Sequence, residues 1–244
     1  VDTDGTVFFC PSEKNEKMLP IHMCCKREDC STDTLHYLVE RAKLTLKFRT
    51  KTGATPLLLA AKHGTVNTIQ YLLQQDPATA SMCDLDNNYP LHVACKNQQP
   101  GRVIRLFLDA YPNASLLPNA EGYTPLHLCC QNQAPLDVVK HLVDFDERLV
   151  HAPTNNGHNV FLLAIKHGES KMVKYLVTKH PSLVEEKYGT WLPLHFAVWN
   201  KAPKEIIKLL VQKLPEAKLQ KDSLGRTPLD MADSKGLSDD LKVL

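Results

Sequence analysis

Apolar residues along this chain fall in pairs one helical turn apart, Met172, Val173, Leu176 and Val177 in one stretch and Ile206, Ile207 and Leu210 in another. That spacing lines one face of a helix and predicts a short amphipathic element. Before nearly every such element stands a more uniformly apolar one that opens on proline, as in Gly122-Tyr123-Thr124-Pro125-Leu126-His127-Leu128-Cys129-Cys130. Aligned on the proline, Pro20, Pro56, Pro90, Pro125, Val160, Pro193 and Pro228 stand 36, 34, 35, 35, 33 and 35 residues apart. A period of about 33 residues marks a stacked array, in which no unit buries its apolar face alone.

Local chemistry predicts each part of a copy: helix, turn, helix, then a polar extended finger. Proline at the first helical position loses nothing, because its missing N–H would have no intrahelical partner there. A threonine just before it is an N-cap, a role that falls to Thr55, Thr124 and Thr227. Two kinds of turn join the helices. Lys62-His63-Gly64 and Lys166-His167-Gly168 end the first helix on a glycine suited to a left-handed cap. Asn97-Gln98-Gln99-Pro100, Asn132-Gln133-Ala134-Pro135 and Asn200-Lys201-Ala202-Pro203 instead use proline to open the second helix. Gly53, Gly122, Gly157 and Gly225, with Asn87 as a substitute, mark finger turns that need positive φ.

The first clear copy begins near Lys14, with its first helix around Met18 to Cys24, its second over Thr34 to Glu40, and the longest turn between them. The fifth copy, Asn159-Val160-Phe161-Leu162-Leu163-Ala164, lacks both proline and histidine, so its helix is expected to start differently. In the last copy Asp230 replaces histidine, and Ser238-Asp239-Asp240 reads as the cap of a closing helix. Phe8 and Phe9 read as cover for the first repeat or as the remnant of an upstream copy. The chain runs from Val1 to Leu244 and stops as a helix gets under way, which reads as a piece of something longer.

Leu-Pro-Ile-His, Thr-Pro-Leu-Leu, Tyr-Pro-Leu-His, Thr-Pro-Leu-His, Leu-Pro-Leu-His and Thr-Pro-Leu-Asp resemble the Thr-Pro-Leu-His-x-Ala signature of the ankyrin repeat, over almost the whole chain. The resemblance implies an all-α solenoid of about seven helix-turn-helix repeats with hairpin-like fingers. One domain, 1–244, is expected, with 1–13 irregular and repeats starting near 14, 50, 84, 119, 154, 187 and 222. It further implies that His22, His92, His127 and His195 look inward and bond backbone and the capping threonine.

The near-neutral balance, +2 with 23% charged residues, excludes a chain whose main task is coating nucleic acid. No apolar run reaches the 18 or so residues that span a bilayer, so membrane insertion is not expected and an intracellular, cytoplasmic location is. The eight cysteines lack a framework spacing and read as free thiols at small-residue positions. His22, Cys24, Cys25 and Cys30, with Cys10 nearby, form the densest potential metal set, but contain no Cys-x-x-Cys pair. No phosphate-cradling glycine motif and no cysteine-nucleophile motif is present. No cofactor, no metal and no catalysis are expected.

Partner contacts in proteins resembling this one cluster at the fingers and the ends of the first helices. Those positions hold Tyr123, His158, Trp191 and Arg226 just before the N-cap, and Lys26, Lys62, Lys96, Lys166 and Trp199 at the helix end. The lysines predict positive potential and an acidic partner segment; the alternative is a solvated row without a ligand. Tyr188, Trp191 and Trp199 gather on the sixth copy, where exposed aromatics of this kind act as binding hot spots. The alternative there is that Trp191 packs across its own finger turn, since Gly189 comes one residue early. The reading is a monomeric, non-catalytic interaction scaffold. Its rivals are the recognition module of a larger enzyme, ubiquitin-ligase subunit or channel, and a redox or metal role for the N-terminal cysteines.

Overall fold

The structure, a computed structural model, describes residues 17–27 and 30–235. Phe8, Phe9, the start of the first copy at Lys14 and the cap at Ser238 lie outside the described residues. The chain divides into two compact units between Phe145 and Asp146.

The first unit holds four helix pairs. Inner helices α1 (Pro20–Cys25), α3 (Pro56–His63), α5 (Pro90–Lys96) and α7 (Pro125–Gln131) pack side by side. Outer helices α2 (Thr32–Arg41), α4 (Val66–Gln75), α6 (Gly101–Ala110) and α8 (Leu136–Phe145) form a second layer. The second unit repeats the plan with inner α9 (Val160–Lys166), α11 (Pro193–Trp199) and α13 (Pro228–Lys235) and outer α10 (Ser170–Lys179) and α12 (Lys204–Lys213). The apolar pairs of the sequence are the interfaces between layers: Val103, Ile104, Phe107 and Leu108 of α6 and Met172, Val173, Leu176 and Val177 of α10 are buried. Short 3-10 turns such as Pro112–Ser115 and Pro181–Val184 follow the outer helices and lead into the fingers.

Inner helices begin at the aligned position in every copy because several cap chemistries solve the same problem. Thr55 accepts from Leu58 N at 3.3 Å. Thr227 accepts from Asp230 N at 3.2 Å while Asp230 Oδ2 takes the Thr227 N–H at 2.8 Å, a reciprocal box in which aspartate does the histidine's work. Contrary to expectation, α9 also starts in register. Asn159 Oδ1 accepts from Leu162 N at 3.0 Å, so asparagine replaces the threonine-proline pair. Elsewhere histidine closes the turn: Nδ1 of His22, His92, His127 and His195 accepts the backbone N–H three residues earlier, at 3.1 to 3.3 Å. An acceptor at Nδ1 leaves the proton on Nε2, which His22 donates to Phe48 O at 3.0 Å and His195 to Gln220 O at 3.1 Å. Each of the two thus ties its inner helix to the segment leading to the next copy.

Two further expectations are corrected, and one feature was not anticipated from the sequence. Gly64 is extended, φ −83°, and not left-handed. It is glycine because a Cβ there would stand 2.8 Å from Ala60 O. In the proline-type turns the left-handed residues are Gln98, Gln133 and Lys201, each followed by a residue whose N–H reaches back five positions, as Gln99 does to Ala94 O at 3.0 Å. Lastly, Cys24 and Cys30 are not free thiols but a disulfide with Cα atoms 5.3 Å apart, a distance the bridge requires. The six-residue α1 and the long turn after it return residue 30 to the helix end. Cys25, Cys95, Cys129 and Cys130 are buried and outside any disulfide, and burial pushes the Cys25 thiol up to about 12. The metal set read from the sequence is thereby consumed: both His22 nitrogens bond backbone and two of its thiols are oxidised. Among the described residues no group of three His, Cys, Asp or Glu stands close enough to hold a metal ion.

Candidate partner-binding surface

Most fingers are closed by a side chain at their base. Thr154 Oγ1 accepts from His158 N at 3.2 Å, and Asp222 Oδ1 accepts from Arg226 N at 2.9 Å. The finger between α10 and α11 departs from this plan. Tyr188 N donates to Trp191 O at 2.8 Å and Trp191 N to Tyr188 O at 3.1 Å, a two-residue turn made possible by Gly189 at φ +62°. The finger is short, and Tyr188 stands where other copies carry the small polar residues Thr50, Asp84, Asn119, Thr154 and Asp222.

Anchors from neighbouring segments hold both rings. Tyr188 Oη donates to Glu186 Oε2 at 3.1 Å, which also takes Asn159 Nδ2 at 3.2 Å, while Glu186 Oε1 meets His151 Nδ1 at 2.8 Å. Burial first, and then the Glu186 charge, push the Tyr188 phenol well above its ordinary pKa. Trp191 Nε1 donates to Asp222 Oδ2 at 3.3 Å. The Trp191 ring also lies 5.5 Å from that of Trp199, which is 45% exposed at the end of α11. His158 from the preceding finger stands edge-on to Phe196 at 5.3 Å, its pKa lowered by burial and then by Lys166.

A half-open cavity of about 290 Å³ is lined by Asn156, Gly157, His158, Leu162, Tyr188, Gly189, Trp191 and Phe196. Leu162 occupies the register position of the inward histidines, so the copy that lost its histidine supplies an apolar wall. The structure therefore brings His158, Tyr188 and Trp191 together, with Trp199 alongside. Phe196, Glu186 and Asp222 complete the arrangement and were not singled out from the sequence. Phe196 was visible as the sole aromatic at a register position otherwise held by Met23, Leu59, Val93, Leu128, Leu163 and Met231. The two carboxylates gave no periodic signal.

The remaining candidates lie apart or are engaged. Arg226 is bound to Asp222 through Nε at 3.0 Å and Nη2 at 2.8 Å, which with backbone N–H bonds holds the Asp222 carboxyl down at about 2. In the first unit Tyr123 stands edge-on to His127 at 6.1 Å. Lys26, Lys62 and Lys96 are exposed at or just past the C-terminal ends of α1, α3 and α5, helices that are packing neighbours. Cations at helix C-termini also complement the helix dipole.

A family description of three ankyrin repeat copies matches residues 77–152 and 134–221, and a single-repeat description matches 52–87. The chain belongs to the ankyrin repeat family. No curated protein matches the sequence. Among solved structures, the ankyrin repeat domain of Bcl-3, described as a member of the IkappaB protein family, is 20% identical with a TM-score of 0.73. That similarity covers 93% of this chain and 100% of the Bcl-3 domain. The human ASB11 ankyrin repeat domain is 19% identical with a TM-score of 0.78, over 93% of this chain and 97% of that one. Both likenesses show the fold alone. Ankyrin repeat domains are in general protein-interaction modules. No helix among the described residues is long and apolar enough to cross a membrane.

Proposed function

We propose that this chain is a non-catalytic interaction module that holds a partner protein against the fingers and inner helices of its second unit. Trp199, Trp191, Tyr188 and His158 supply the contact, and the exposed row Lys26, Lys62 and Lys96 in the first unit steers an acidic segment of the partner. The observation that carries the reading is Trp199, a large ring left 45% exposed against Trp191 beside a ready-made cavity. Fixed, part-exposed tryptophans are the residue type in which binding energy concentrates. The lysines act by charge over a range of about 8 Å at physiological salt, which sets approach rate more than final affinity.

Capture from lysate by the wild-type chain and by Trp199→Ala tests the reading. Truncation is expected to weaken a captured partner at least about thirtyfold while circular dichroism stays unchanged, the effect of losing about 2 kcal/mol at a hot spot. Higher salt is expected to slow association in both. Undiminished capture by a folded Trp199→Ala chain would place the interface elsewhere.

A further inference from the structure

Two rings of the second-unit cavity give their polar hydrogens to carboxylates, Tyr188 Oη to Glu186 at 3.1 Å and Trp191 Nε1 to Asp222 at 3.3 Å. An anion accepting that hydrogen leaves the ring richer in electrons, and the negative face of an aromatic ring is what attracts a cation. Phe196 and His158 add two further rings, and the cavity lining contains no Lys, Arg, Asp or Glu. No lining side chain carries a full charge, the Glu186 carboxylate sits behind the Tyr188 ring, and the Asp222 carboxylate behind Trp191 is shared with Arg226.

We propose that the cavity receives the cationic end of a partner protein's side chain, a methylated lysine ammonium, seated against Tyr188 and Trp191. The proposal deepens, and rests on, the reading of this surface as an interaction site. Hydration selects among cations. A bare ammonium is compact and strongly hydrated, and an uncharged lining offers little to replace its water. A methylated ammonium is weakly hydrated and binds aromatic faces well. A purely apolar side chain is the competing occupant; it would fill the same volume but gain nothing from the two carboxylates. An acidic segment at the lysines and a basic side chain here are separate features of the partner.

Choline and its uncharged isostere dimethylbutanol, titrated separately into the full chain, provide the test. The readout is the indole N–H signal of Trp191, distinguished from that of Trp199 with Trp199→Phe. Choline is expected to shift the Trp191 signal and to bind about tenfold more tightly than the isostere. Tyr188→Phe keeps the ring but removes the hydrogen given to Glu186. It is expected to shrink the preference to about threefold or less. Equal or tighter binding of the isostere would make this an apolar-anchor pocket and overturn the proposal. An absence of shifts with both probes, or a preference untouched by Tyr188→Phe, would also overturn it. Neither probe needs a partner, so lost lysate capture with choline selectivity intact fails the interaction reading alone, and the reverse result fails only this inference.

Discussion

Acidification from about pH 7 to about pH 4 is expected to destabilise the first unit by about 3 kcal/mol through His92 alone. His92 is fully buried, and burial holds its imidazole down from 6.5 to about 4. Above 6.5 neither the folded nor the unfolded chain binds the proton, so the neutral ring's contribution is complete. As the pH falls, the unfolded chain is protonated first and stability drops, until the folded state also takes up the proton near 4. His22 is lowered by burial in the same way in the first unit, and His195 in the second, so the total loss exceeds the His92 share. Urea unfolding at a series of pH values measures it. His92→Leu, which copies the residue the fifth repeat carries at this register, is expected to flatten the slope between about 4 and 6.5. A wild-type profile that is already flat over that range would contradict the account.

Phe161→Ala is expected to cost about 3–5 kcal/mol, a large part of what a domain of this size has available. Phe161 is completely buried in α9, which packs against both α10 and α11. This inner helix starts without the proline used elsewhere, on the cap of Asn159, and packing carries more of its stability. In a linear array each repeat contacts only its neighbours, so the loss should be local. Amide exchange is expected to accelerate in α9 to α11 and to stay unchanged in α1 to α3. A substitution that leaves the unfolding midpoint within about 0.5 kcal/mol of wild type would show that this helix is not part of the core described here.

The layers of the fold were legible because they rest on short-range chemistry repeated in every copy. Proline at the first turn, a capping oxygen before it and apolar pairs one turn apart are each read within a few residues. Where local rules have more than one solution, the sequence misleads: a glycine after Lys62-His63 suits a left-handed cap, but Gly64 answers to the approach of Ala60. The Cys24–Cys30 bridge depends on how one long turn folds back, which no periodicity records. Of the candidate surface, Tyr188, Trp191 and Trp199 stood out as departures from the repeat. What holds them did not, because Glu186 reaches back to His151 and Asn159, thirty-five and twenty-seven residues earlier, and Trp191 reaches Asp222 thirty-one residues on. Those links join residues that vary between repeats, and variation marks a place without saying what it touches.

The most direct test of the recognition surface is hydrogen exchange on the chain with and without a partner it captures. Protection is expected in the fingers around 156–158 and 188–191 and at the end of α11 near Trp199, with the outer helices α10 and α12 exchanging as before. Protection confined to α10 and α12, with the finger amides unchanged, would contradict the assignment of this face as the binding site.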